Sequence, residues 1–178
     1  MNEHFEDMKN HYLEETKKSL LDNGFVVPSF AIMALKVSDE QPALIHMPLP
    51  SIYLDSEKAK DRFFSEIFPK MAKEIRKDFK PFAILWASEA YYREAKPDFD
   101  LTKDNYQDLP IKKEVLIITV DSEEVSTCEI YEIIKSGMSI NEEGLIDQIS
   151  LEKLSDNQGL KEAQGRFSNL YKKLMGEV

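Results

Sequence analysis

A chain of 178 residues that is 42% hydrophobic and 10% aromatic is long enough for one domain with a continuous core, and too apolar to stay disordered. Its 33 acidic against 23 basic residues leave a net charge of −10, which disfavours general binding to nucleic acid or to anionic membranes. The lone Cys128 excludes an intrachain disulfide, and the densest apolar runs, 82–86 and 115–120, fall far short of the roughly 18 residues of a membrane span.

In chain order, the spacing of Phe5, Met8, Tyr12, Thr16 and Leu20 predicts a helix over 1–23 with one apolar face. Asn23-Gly24 supplies the left-handed stop that helices favour. Residues 30–37 and 43–49 are apolar runs separated by the turn-rich segment 38–42, which predicts a β-hairpin. Pro48 and Pro50 end its pairing, because proline has no amide proton to donate. Residues 56–79 predict a central helix with a broad apolar stripe through Ala59, Phe63, Ile67, Met71 (or Phe64, Phe68, Ala72), Ile75 and Phe79. Pro69 lies within it and should bend or split it; Pro81 should close it.

Residues 82–87 predict a third strand, with 88–93 as its continuation. The stretch 95–111 carries Pro97, Asp98, Asp100, Asp104, Asn105, Asp108 and Pro110, the composition of a long exposed loop of the kind that often carries function. Residues 114–121 and 126–134 flank the turn Ser122-Glu123-Glu124 and predict a second hairpin. A further turn at Asn141-Glu142-Glu143-Gly144 leads to a final strand over 145–151. Leu160, Ala163, Phe167, Leu170 or Tyr171, and Leu174 predict a C-terminal helix over 157–175, capped by Ser155, Asp156 or Asn157. The expectation is a single α+β domain over 1–178. Its mainly antiparallel sheet has five to six strands, a long covering helix, and N- and C-terminal helices that complete that layer or reach a partner.

Catalytic motifs are scarce. The sequence has no Walker-type loop, GxGxxG, HExxH, CxxC or GxSxG, and six glycines in all leave little for a phosphate cradle. His4 and His11 miss the three- or four-residue spacing of a helical chelate, and His46 sits alone in an apolar strand. Cys128 has no neighbouring group to lower its pKa. The candidate site is Glu89 and Glu114, with Tyr91 and Arg93 nearby, because paired carboxylates on neighbouring strands serve acid–base chemistry or bind a metal. The alternative is that Glu89 pairs with Arg93 or a lysine and fixes the sheet. Asp121, Glu123, Glu124, Glu129 and Glu132 form an acidic group without the alternating ligands and central glycine of an EF-hand. Residues 57–80 hold eight basic against five acidic side chains, the pattern of a solvated helix face, with a surface for an anionic partner as the alternative.

Three short segments carry a likeness: Pro28-Ser29-Phe30-Ala31, Glu89-Ala90-Tyr91, and Lys112-Lys113-Glu114-Val115-Leu116. Together they resemble a loose group of small bacterial and phage α+β proteins of uncharacterised function, over roughly residues 12–135. Here tyrosine stands where tryptophan is commoner, and Lys113 where arginine is expected. The resemblance implies a fold class and a bacterial or phage setting, and no activity.

The leading expectation is a cytoplasmic, non-catalytic binding protein that engages a protein partner or a second copy of itself, through the 95–111 loop, a strand added to an exposed sheet edge, or a terminal helix, with no cofactor, metal or membrane. A small hydrolase or metal-dependent enzyme using Glu89 and Glu114 is the alternative. An acidic mimic of DNA is the third reading, set against the 23 basic residues that interleave with the acids.

Overall fold

The structure is a computed structural model that describes residues 4–94, 108–141, 144–158 and 169–177. Helix α1 (Phe5–Asn23) leads to strands β1 (Ser29–Lys36) and β2 (Pro42–Pro48). A helical stretch follows, made of α2 (Glu57–Arg62), a wide π turn (Phe63–Ile67) and α3 (Phe68–Asp78). Strands β3 (Phe79–Arg93), β4 (Ile111–Ser122), β5 (Ser126–Asn141) and β6 (Gly144–Gln158) come next, then α4 (Leu170–Met175). The six strands form one sheet in the order β2-β1-β3-β4-β5-β6, and every adjacent pair is antiparallel. The expected α+β class, with an antiparallel sheet and helices at its start, middle and end, is therefore what the chain adopts.

β1 and β3 lie at the centre of two layers, which explains their unbroken apolar runs. Along β1, Phe30, Ile32 and Ala34 join a core with Ile84 and Trp86, under Phe63, Phe68 and Ala72 of the helical stretch. The alternate residues Ala31 and Met33 join Ala83, Leu85 and Ala87 under Tyr12, Leu13 and Leu20 of α1. Leu116, Ile118, Tyr131 and Ile133 extend this second core across β4 and β5. α1 touches β1, β3 and β6, so the sheet curls around it. The sequence reading put every helix in one layer or against a partner; α1 instead covers the face opposite α2–α3. Its apolar stripe shows that it packs, but carries no information about which face receives it.

The termini of α1 follow the sequence closely. Gly24 adopts φ 77° and donates its N–H to the Leu20 carbonyl, the left-handed close predicted at Asn23-Gly24. The Tyr12 hydroxyl donates to the Ser29 carbonyl at 3.2 Å and fastens the helix to the start of β1. Ser56 caps α2 by accepting the Ala59 N–H at 3.1 Å. Pro69 splits the helical stretch as expected. It occupies the first turn of α3, where a missing N–H costs nothing, and the wide turn before it is closed by the Phe68 N–H on the Phe63 carbonyl.

Elsewhere the strands outrun the prediction. Pro81 does not close a helix: α3 ends at Asp78, and Pro81 lies within β3 opposite Ala34. The register shifts between Met33 and Ala34, and this bulge accommodates a residue that cannot donate to the ladder. β5 and β6 run for 16 and 15 residues, well beyond the predicted 126–134 and 145–151. Asn157, expected to open the C-terminal helix, belongs to β6, and the helix described is Leu170–Met175. Residues 159–168 of the predicted helix, 95–107 of the predicted loop, Glu142 and Glu143 of the predicted turn, and residues 1–3 lie outside the described residues. Among the described residues, no helix is long and apolar enough to cross a membrane.

Candidate functional site

The register brings the two candidate carboxylates onto one sheet face. Glu89 lies opposite Leu116, and Tyr91 lies opposite Glu114. Opposed residues share a face and alternate residues return to it, so all four are on the α1 side. Each carboxylate is nevertheless engaged by its own structural partner. Glu89 Oε1 accepts the backbone N–H of buried Val26 at 2.5 Å, holding the segment that joins α1 to β1. Glu114 pairs with Lys135 of β5 at 2.7 Å. Tyr91 is 60% exposed. Arg93 lies past a register shift, opposite Ile111, and donates to the Leu109 carbonyl. The geometry thus joins Glu89, Tyr91 and Glu114 as a stripe and sends Arg93 to a backbone anchor.

Other candidates take ordinary places. His46 meets the Tyr12 ring edge-on, with centroids 6.1 Å apart. Cys128 is half-buried, and burial, followed by the charge of Glu129, pushes its thiol above the ordinary value, away from a nucleophile. Lysines and acids alternate across β4, β5 and β6: Lys113 meets Glu132 at 2.5 Å, and Lys153 meets Glu129 at 3.8 Å. These strands therefore carry both signs. The basic helix faces solvent at Lys70, Lys73 and Lys77, with Lys77 on Glu74 at 2.6 Å. Among the described residues, no group of three His, Cys, Asp or Glu is placed to hold a metal ion.

What sequence reasoning could not place is which strand forms the far edge of the sheet and what lies beside it. A groove of about 630 Å³ runs between α1 and β5–β6, floored by Tyr131, Ile149 and Leu151 and rimmed by Glu14, Lys17 and Lys18. The Lys17 ammonium stands 4.7 Å above the Tyr131 ring, and the Tyr131 hydroxyl donates to Glu129. Beside the groove lies β6, whose outer edge pairs with no strand among the described residues. The opposite edge strand, β2, is only 7 residues long and has proline at both ends. The alternation Ile149, Leu151, Lys153 against Ser150, Glu152 was the available strand signal. A smaller cleft of about 170 Å³ lies at α4, where Asp121 accepts the Tyr171 N–H at 2.9 Å. Neither groove is lined by Glu89 or Glu114.

Comparison with protein-family models, with curated proteins and with solved structures returned no match.

Proposed function

We propose that this is a non-catalytic binding protein whose working surface is the outer edge of β6 with the groove beside it. The observation that carries this reading is a 15-residue edge strand, free of proline, on a sheet whose other edge is short and blunted by Pro42 and Pro48. An edge strand presents a row of backbone donors and acceptors, and natural sheets suppress that row with short strands or proline unless something is to pair with it. A partner adding a strand there gains main-chain hydrogen bonds, while the groove receives alternate side chains. The separate engagement of Glu89 by Val26 and of Glu114 by Lys135 weighs against a shared acid–base site.

The test is a photo-cross-linking residue placed at exposed Ser150 on β6 and, as a control, at exposed His46 on β2, in the full chain within intact cells. A discrete covalent product from position 150, with none from position 46, is the expected result. No product from position 150, or equal products from both, refutes the reading.

A further inference from the structure

We infer that the strand received by the β6 edge is β6 of a second copy, paired about a two-fold axis at Ser150; this rests on the reading of that edge as the working surface. A two-fold axis normal to an antiparallel sheet puts each residue opposite one of its own face, so the register must be centred on a residue. Centred on Ser150, the positions Asp147 and Lys153 fall opposite each other, as do Gln148 and Glu152, and Ile149 and Leu151. Every pair occurs twice, and Ser150 meets itself.

Both faces of that junction agree in chemistry. On the α1 side, Ile149 and Leu151 already pack against the α1 core. Doubling them makes a four-residue apolar centre that carries the core from one protomer into the other, and the Asp147 and Lys153 positions fall at each end of it. Lys153, which reaches Glu129 at 3.8 Å, lies at the rim of this centre. The opposite face is polar from 148 to 152, with glutamine against glutamate and serine against serine, and exposed Leu154 lies just beyond it. Neighbouring registers fail this match. Centring on Ile149 sets Asp147 against Leu151, and centring on Leu151 sets Ile149 against Lys153. Centring on Glu152 or Lys153 opposes like charges. The groove contributes a second, independent feature: Leu21, 40% exposed, borders it among Glu14, Glu15, Lys17 and Lys18, a mixture of signs that suits a copy of itself.

Sedimentation equilibrium of the full chain tests this, with an expected mass twice the 20.6 kDa of one chain. Asp147→Lys alone and Lys153→Asp alone each oppose like charges and should weaken the dimer at least tenfold; the two together should restore it. Circular dichroism confirms that each variant is folded. Ser150→Cys in a Cys128→Ser background should oxidise to a covalent dimer, because opposed Cα atoms about 4.5–5.5 Å apart fall within disulfide reach. A monomeric wild type at every concentration, single variants that dimerise like wild type, or a dimer that does not cross-link at position 150 would each overturn the inference. The photo-cross-link separates the two levels. A product between the chain and a different protein overturns the second copy and leaves the binding edge standing, whereas no product removes both.

Discussion

Removing the Glu89 side chain separates a structural carboxylate from a catalytic one. Glu89→Ala deletes the acceptor of the Val26 N–H, a donor on a residue only 7% exposed, although Glu89 itself is exposed. A hydrogen bond to a charged group contributes about 1.5–3 kcal/mol, and an orphaned buried donor costs about 1–3 kcal/mol. A loss near 2 kcal/mol follows, which at a urea slope of about 2 kcal/mol per molar moves the midpoint down by roughly 1 M. Glu114→Ala removes one half-exposed ion pair with Lys135 and should cost no more than about 1 kcal/mol. Urea unfolding followed by circular dichroism gives both values on one protein. Equal costs for the two variants, or a Glu89→Ala midpoint within about 0.2 M of wild type at unchanged slope, would refute the assignment of Glu89 to the α1–β1 junction.

Gly24→Ala should cost about 1 kcal/mol through the backbone alone, since φ is 77° and an added Cβ meets nothing within 4 Å; thermal melting of the variant checks this, and a neutral change would contradict the left-handed close. Burial raises the Tyr12 phenol above its ordinary value of 10.0, outweighing the lowering by Ser29 and Thr16. Its contribution is therefore complete below pH 10 and is lost as pH rises from there through the folded-state value, because the unfolded chain ionises first. Tyr12→Phe should lower stability near neutrality by about 1 kcal/mol and flatten the alkaline decline, as read from unfolding curves between neutral and strongly alkaline pH.

The parts of the fold that were legible in the sequence rest on local rules. Gly24 needed only its own backbone freedom, Pro69 only its missing N–H, and the apolar run of β1 only the burial of both its faces. Long-range facts were not legible. The bond from Val26 to Glu89 joins residues 63 apart, and no spacing rule announces it. Pro81 was misread because a proline after a helix ordinarily ends an element; here the bulge opposite Met33 and Ala34 admits it to a strand. The polar residues 155–157 resembled helix caps because an edge strand needs no dense apolar run. For the candidate site, the sequence offered Glu89 and Glu114 on neighbouring strands; that they share a face, and that Val26 and Lys135 are their partners, depends on register and long-range contacts no spacing announces.

The wide turn at Phe63–Ile67 has a consequence for how this chain tolerates changes of length. Phe63 and Phe68 both reach the Phe30 ring, with centroids 6.1 and 5.5 Å away, although they are five residues apart. Five residues of regular α-helix would turn them about 140° out of phase. The turn therefore holds one surplus residue, and deleting exposed Ser65 would return the two phenylalanines to the four-residue spacing of an ordinary helix. Pro69 would then stand inside an uninterrupted helix at a cost of about 3 kcal/mol, so the deletion becomes neutral only together with Pro69→Ala. Insertions and deletions usually concentrate in loops. In this protein a helix against the core carries its own site for them, and the proline next to it keeps that site in use.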